Sequence, residues 1–157
     1  MMTGILAVLF ALASPAGPAV AAVPDGTRIS ESVLRPLADW VEKAMNVRIT
    51  VLPITVASGI RLKTSLGLKG TEQAHVISVY MPGRILINNV IWDLDSAAAK
   101  SYLIHELVHH AQLLSGHTYR CHAAKEQEAY TLQNVWLAEQ GESPLTNPEW
   151  IDHMSQC

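Results

Sequence analysis

The chain has little of several features that mark particular classes of protein. It contains only two cysteines, carries a net charge of −3, and has its lysines and arginines scattered along the sequence. No basic stripe is present, which argues against nucleic acid or an anionic membrane surface as a partner. Internal repeats and low-complexity tracts are also missing. These absences leave an ordinary globular domain as the expectation.

The longest apolar run in the N-terminal region is too short to span a bilayer. Residues 4–13 form an uncharged apolar run of ten residues, whereas a membrane-spanning helix needs about 20. Ala19-Val20-Ala21 then has the small-x-small pattern of a signal-peptidase site, although no Lys or Arg precedes the run. We expect residues 1–21 to be a cleaved signal peptide. Residues 22–157 would then be one exported domain, periplasmic or secreted, with no stable membrane insertion.

The two cysteines, Cys121 and Cys157, are expected to pair. An even pair in an exported chain is typical of a disulfide rather than of a metal site. The bridge would close a loop of about 36 residues and contribute about 3 to 4 kcal/mol through loop-closure entropy. It would hold the C-terminal tail against the middle of the domain. Two free buried thiols are the alternative.

The first part of the mature chain predicts one helix and one strand. Apolar residues recur at helical spacing after a cap at Ser30 or Ser32 and continue to Met45. Residues 47–51 alternate apolar and polar side chains, which is a strand pattern. The stretch 53–74 contains several glycines and no sustained period, so we expect a loop there.

A β-hairpin is predicted next. Residues 75–80 and 84–88 are strand-like, and Met81-Pro82-Gly83-Arg84 lies between them. This tetrapeptide suits a type II turn, because proline fixes φ at the second position and glycine accepts a positive φ at the third.

Two helices and an irregular tail complete the chain. A helix capped by Asp95 or Ser96 should end near Ser115, before Gly116. A second long helix should span about 122–140, and the proline-containing tail after it should be irregular. The order helix, three strands, helix, helix predicts a compact α+β domain.

The motif His105-Glu106-x-x-His109 lies within the first of these two helices. Residues four apart lie on one helical face, so the two imidazoles can bind one zinc ion at about 2.0–2.1 Å. Glu106 can remove a proton from a metal-bound water as the water attacks a carbonyl carbon. The pattern predicts one zinc ion per chain and a hydrolase with Glu106 as general base. The alternative is a surface helix that happens to carry several histidines.

The third zinc ligand is expected on the helix that follows. Metzincins place a histidine and a glycine where this chain has Ser115 and Gln112, which excludes that class. Glu126 and Glu128 both lie on the following helix. Glu126 falls nearer the centre of the apolar stripe of that helix and is therefore favoured, while Glu128 remains open.

Other polar residues near the motif are assigned supporting roles. Tyr130 could orient a ligand from behind, and Gln112 and Gln133 could hydrogen-bond between the two helices. His110 points about 100° away from His109 and is expected at the surface or behind the ligands. The candidates for stabilising an oxyanion are His117, Tyr119, His122 and Tyr130.

The motif helix followed by a Glu-bearing helix resembles the gluzincin group of zinc peptidases in minimal form. A longer string is similar to a family of small exported bacterial proteins of uncharacterised function, over about residues 85–138. That string is Trp92-Asp-Leu-Asp, His105-Glu-Leu-Val-His-His-x-Gln112, Cys121 and Glu126-x-x-Ala-Tyr130-x-x-Gln133-x-x-Trp136-Leu137.

This resemblance implies a zincin-like fold with His105, His109 and Glu126 as ligands and Glu106 as the catalytic residue. It also implies an edge strand over the active cleft that pairs with extended substrate, for which residues 84–88 are the natural match. The chain departs from the Glu-x-x-x-Asp pattern of gluzincins, because Tyr130 stands where the second acid would be.

The leading hypothesis is therefore a zinc metallopeptidase, or another amide hydrolase, acting on a peptide or similar amide substrate outside the cytoplasm. An additional protein partner could complete the cleft. A second hypothesis is a catalytically silent, metal-stabilised module that binds a peptide or partner on the same fold. A third is a histidine-rich patch that stores metal, which would bind several ions per chain.

Overall fold

The computed structural model describes residues 23–65, 67, 76–89 and 93–157, so the expected signal peptide lies outside the described residues. Within these ranges the protein is α+β, as predicted, with five helices where three were expected and a three-stranded mixed sheet. The elements are α1 (Glu31–Met45), β1 (Ile54–Ala57), α2 (Ile60–Ser65), β2 (Ser78–Met81), β3 (Arg84–Ile87), α3 (Ala97–Ser115), α4 (Ala124–Glu139) and α5 (Pro148–Met154).

Helix α3 is the centre of the fold. It packs against α1, α4 and β2, and its apolar residues between 103 and 111 are fully buried. A helix that is apolar on most of its faces is stable only when other elements cover it. No helix in the described ranges is long and apolar enough to cross a membrane.

The predicted ends of α3 are confirmed by its caps. The Ser96 hydroxyl accepts a hydrogen bond from Ala99 N–H at 3.1 Å, which satisfies one of the free donors of the first turn. Gly116 ends the helix in the left-handed conformation with φ +66°, which costs a glycine nothing.

The sheet has the order β1-β3-β2, with β1 parallel and β2 antiparallel to β3. The predicted hairpin is confirmed, since Met81 pairs with Arg84 and Gly83 adopts φ +74°. The expectation that residues 84–88 form the edge strand was wrong, because β3 is central. The edge strand beside α3 is β2.

The strand predicted at 47–51 was also wrong, because these residues form no strand. Ile49 is buried, but side chains of α1 satisfy its backbone. Its N–H donates to Glu42 Oε1 at 2.7 Å, and its carbonyl accepts from Arg35 Nη1 at 3.0 Å. Of the three apolar residues in the alternating pattern only Ile49 is buried, and Val51 is 73 % exposed. The pattern therefore indicated neither a buried face nor which backbone groups pair.

Strand β1 lies instead in the stretch expected to be a loop. Its outer edge is covered by residues 26–29: Ile29 N–H donates to Thr55 O at 2.9 Å, and Ala57 N–H donates to Thr27 O at 2.8 Å. Within the described ranges, β2 is therefore the edge strand for which no backbone partner covers the outer side.

Two short helices lie where irregular chain was expected. Helix α2 follows a turn in which Ser58 Oγ accepts from Arg61 N–H at 3.0 Å. Helix α5 has Pro148 in its first turn, and Asn147 Oδ1 accepts from Trp150 N–H at 2.8 Å. Both starts use local capping that a helix of six or seven residues needs, because it has too few internal hydrogen bonds.

The predicted disulfide is confirmed. Cys121 and Cys157 are bonded, 36 residues apart in sequence. The bridge joins the chain end to the segment before α4, and α5 packs against α4. The tail is thereby held against the helix that carries Glu126.

Removing the disulfide should lower the free energy of unfolding by about 3 to 4 kcal/mol, because the unfolded chain regains the entropy of an open loop. The test is urea denaturation of the Cys121→Ser/Cys157→Ser double variant. Wild type measured with and without reductant is the comparison. An unfolding midpoint unchanged by both treatments would contradict the prediction.

Candidate metal centre

Three side chains from α3 and α4 converge on one point. His105 and His109 lie one turn apart on α3, and their Nε2 atoms are 3.2 Å apart. Glu126, in the first turn of α4, places Oε2 at 3.2 Å from His105 Nε2 and Oε1 at 3.3 Å from His109 Nε2. The three residues could hold a metal ion.

The donor atoms of these residues lie close enough together to bind one metal ion. Ligands placed tetrahedrally at about 2.0–2.1 Å from zinc are about 3.3 Å from one another. The two histidine nitrogens are 3.2 Å apart, and each lies 3.2 or 3.3 Å from a different oxygen of Glu126. With one donor atom from each residue, the three donors lie within 4.8 Å of one another. Two imidazoles and one carboxylate also form a typical ligand set for catalytic zinc.

The hydrogen-bond network behind His105 determines which ring nitrogen carries the proton. Ser101 Oγ donates to Ala98 O at 2.7 Å, so it must accept from Gln133 Nε2 at 3.1 Å. The other end of that amide, Gln133 Oε1, therefore faces His105 Nδ1 at 3.1 Å as an acceptor. Nδ1 carries the hydrogen, and Nε2 is left with its lone pair toward Glu126.

The same logic applies behind His109. Gln112 Nε2 donates to Lys125 O at 2.9 Å and to Glu128 Oε2 at 3.0 Å, both of which are acceptors. Gln112 Oε1 therefore accepts from His109 Nδ1–H at 2.9 Å. Tyr119 donates to Glu128 Oε2 at 2.7 Å and completes the chain. His109 Nε2 is thus also directed at the centre of the site.

This arrangement requires a positive charge at its centre. Two imidazole lone pairs and a carboxylate would otherwise face one another in a buried space. Burial would lower the pKa of His109, but the hydrogen bond and charge of Glu126 raise it to about 9. Burial would raise the pKa of Glu126, but the two histidines hold it well below its usual range. A proton on His109 supplies this positive charge when no metal ion is bound.

Metal-free protein should therefore lose stability as pH rises from about 6.5 to about 9. The pKa of His109 is raised from 6.5 to about 9 on folding, so its stabilisation is complete below 6.5 and is lost through 9. Glu126, whose pKa is lowered from 4.5, stabilises above that value and loses its effect as pH falls. Urea unfolding of chelator-treated protein at pH 5.5, 7.5 and 9 measures this change. A His109→Asn variant should show a weaker dependence, and a wild-type stability that rises from 6.5 to 9 would contradict the prediction.

Glu106 lies in the same cleft as the three ligand residues. Its side chain is buried, and Ser78 Oγ on β2 donates to Glu106 Oε1 at 2.7 Å. This hydrogen bond holds the Glu106 carboxylate of α3 against strand β2. Sequence reasoning missed Ser78, because nothing in the strand pattern distinguishes a serine that faces α3.

The cleft above the site has a volume of about 170 Å³. Its rim is formed by β2, the start of α4 and the end of α3, with Val79, Pro82, Leu113, His122 and Lys125 among the lining residues. The sequence analysis did not predict that Lys125 lines the cleft. The signal that was available is that Lys125 directly precedes Glu126 in the chain.

The outer edge of β2 borders this cleft. Asn88 N–H donates to Ile77 O at 2.8 Å, so the odd-numbered residues here exchange hydrogen bonds with β3. In an antiparallel ladder the alternate residues direct their backbone groups to the other side. The N–H and C=O groups of Ser78 and Tyr80 therefore face away from β3, toward the edge that borders the cleft.

The other residues considered in the sequence lie at different distances from the triad. Glu128 contacts Tyr119 and Gln112 and does not join the triad. Tyr130 packs edge-on against the His105 ring, with ring centroids 4.5 Å apart. Of the candidates for stabilising an oxyanion, only His122 lines the cleft, whereas His117 and Tyr119 line a separate depression.

His110 is buried, so the surface position considered for it was wrong. Its Nε2–H donates to Val51 O at 3.1 Å, and its Nδ1 accepts from the Tyr80 hydroxyl at 3.0 Å. Burial lowers the pKa of His110, against the hydrogen bond to Val51. A neutral His110 thus joins α3 to β2 and to the segment after α1.

The chain matches a known protein family. A family described as "Domain of unknown function (DUF6647)" matches residues 27–157. No curated protein matches the chain. No solved structure matches it either.

Proposed function

The chain belongs to the DUF6647 family, and from the geometry of its donor triad we propose that it is a zinc-dependent amide hydrolase. In this proposal it is a metallopeptidase of the gluzincin type on a minimal zincin-like fold. One observation carries the proposal: the donor atoms of His105, His109 and Glu126 converge on one point, with the buried carboxylate of Glu106 in the same cleft.

The residues that would hold zinc are His105, His109 and Glu126, one ion per chain. Three protein ligands leave a coordination position open, which is typical of catalytic rather than structural zinc. When bound, zinc acts as a Lewis acid that polarises a carbonyl group and makes water more acidic.

Glu106 is the general base in this proposal. Because Ser78 occupies Oε1, Oε2 is the oxygen free to accept a proton from the water that attacks the substrate carbonyl carbon. The protonated carboxyl then transfers that proton to the amide nitrogen as the C–N bond breaks. The amine leaves, and the carboxylate of Glu106 is regenerated.

The edge of β2 supports a peptide as the substrate. An extended chain can add to a strand whose outer N–H and C=O groups are unpaired. Among the residues that the structure describes, no backbone group pairs with those of Ser78 and Tyr80, which face the edge that borders the cleft. A peptide bound there would lie next to Glu106, because the Ser78 side chain already contacts Glu106.

We also propose that the protein acts outside the cytoplasm. The disulfide between Cys121 and Cys157 is of a kind that persists in oxidising compartments. The apolar run at residues 4–13 and the small residues after it are typical of a signal peptide.

The test is the zinc content of the purified mature chain, measured by mass spectrometry after zinc loading and desalting. We expect one zinc ion per chain in wild type and none in His109→Ala. The matched control is His117→Ala, an exposed histidine outside the cleft, which should retain one ion. Hydrolysis of an internally quenched peptide pool should follow the same pattern.

Four results would count against the proposal. A wild-type chain that holds no zinc refutes the site. Zinc bound equally by wild type and His109→Ala places the ion elsewhere. One zinc per chain without hydrolysis of any peptide or cell-wall amide favours the silent binding module, and several ions per chain favour metal storage.

A further inference from the structure

Both proposed ligand histidines are supported from behind by amides and not by carboxylates. Gln133 and Gln112 are each 1 % exposed, and each places Oε1 against a histidine Nδ1, at 3.1 Å and 2.9 Å respectively. Their amide nitrogens are tied to Ser101 in one case and to Lys125 O and Glu128 in the other. The two amides therefore have a single orientation.

We propose that Gln133 and Gln112 are positioning residues that keep the metal electrophilic by presenting neutral acceptors to His105 and His109. The inference rests on the proposed zinc site. A carboxylate behind a ligand histidine makes the imidazole more basic and strengthens its bond to the metal. A neutral amide fixes the same ring orientation without adding negative charge, so more of the metal's charge remains to polarise a carbonyl group.

The charges around the site are consistent with this role. Glu126 and Glu106 already place two buried carboxylates in the cleft, and two more behind the histidines would exceed the charge of a divalent ion. A carboxylate does lie near His109, but Glu128 is separated from it by Gln112. The Gln112 amide orients the His109 ring and keeps the negative charge of Glu128 one side chain further from the metal site.

The first test is the pair of variants Gln133→Glu and Gln133→Met. The carboxylate retains an acceptor for His105, and the Ser101 hydroxyl can turn to donate to it. We expect zinc to bind Gln133→Glu about 10-fold more tightly and Gln133→Met about 10- to 100-fold more weakly, the range for such supporting partners. Gln127→Glu, the same change at an exposed position of α4, should leave the zinc Kd unchanged.

The second test relocates a charge without changing the total. The exchange Gln112→Glu with Glu128→Gln retains one amide and one carboxylate but puts the carboxylate against His109. Zinc should bind this double variant more tightly than wild type, by up to about 10-fold. The carboxylate loses the hydrogen bond that Gln112 donates to Lys125 O, which offsets part of the gain. The single Gln112→Glu change is not used, because it would place two carboxylates about 3.0 Å apart.

The measurement is zinc Kd by chelator competition, with the Co²⁺ absorption spectrum reporting coordination and peptide hydrolysis reporting electrophilicity. Tighter zinc binding together with a lower kcat in the carboxylate variants supports the inference. If the two glutamines had only a structural role, the same changes would lower both the zinc affinity and kcat. Weaker binding in both Gln133→Glu and the exchange variant overturns it, as does an unchanged Kd in both. A wild-type protein that binds no zinc overturns the proposed zinc site itself. This outcome is distinguishable, because the zinc content of wild type is measured before any variant is compared. If Gln133→Met does not fold, the two carboxylate variants still decide the question.

Discussion

Replacing Glu106 with glutamine should lower kcat by about 10²- to 10⁴-fold, the usual contribution of a general base. Glutamine keeps the shape of the side chain and can still accept the hydrogen bond from Ser78, but it cannot take a proton from water. The zinc ligands are untouched, so one ion per chain should remain. Stopped-flow or endpoint hydrolysis of the best peptide from the quenched pool, with zinc content measured on the same sample, tests both halves of the prediction.

The matched control is Glu149→Gln, the same change at an exposed position of α5. It should leave both zinc content and kcat at the wild-type level. Full activity in Glu106→Gln would remove Glu106 from the mechanism. Loss of zinc together with activity would mean that Glu106 holds the metal, and the proposed division between ligands and base would be wrong.

The second large effect is expected from a comparison of two glutamates two residues apart. Glu126→Gln should weaken zinc binding by more than about 100-fold, the upper range for partners that only support a ligand, because it removes an anionic donor. Glu128→Gln should weaken binding by about 10-fold or less. Its amide oxygen can still accept from Tyr119 or Gln112, whose contacts lie behind His109. Chelator competition in parallel on the two variants gives the ratio.

Each variant serves as the control for the other, since both remove one negative charge from α4. Equal losses would indicate a general electrostatic effect and not a ligand. A larger loss in Glu128→Gln would require α4 to turn relative to α3 when metal binds. That result would contradict the side-chain arrangement around His105 and His109.

Much of the fold could be predicted from short stretches of sequence. The start and end of α3 were recognisable from Ser96 and Gly116, and the hairpin from Pro82 and Gly83, because caps and turns depend on residues close together in the chain. The pairing of Cys121 with Cys157 followed from there being only two cysteines.

The strands were less predictable, and Ile49 shows why. The alternating pattern around it predicted a strand, yet its backbone pairs with the side chains of Glu42 and Arg35 and not with a strand. Strand pairing depends on partners far away in sequence, so the true first strand, β1, was hidden in a stretch that looked irregular. For the same reason the edge strand was assigned to β3 and not to β2.

The sequence by itself determined that His105 and His109 lie one turn apart on the same helical face and that Glu106 lies beside them, because helical spacing is a local property. Only the tertiary structure decided that Glu126 and not Glu128 lies against both imidazoles, and that Ser78 contacts Glu106. It also decided that Gln112 and Gln133 face the outer ring nitrogens. These contacts depend on how α3, α4 and β2 pack against one another, and packing angles and strand order are set by the whole core rather than by any one segment.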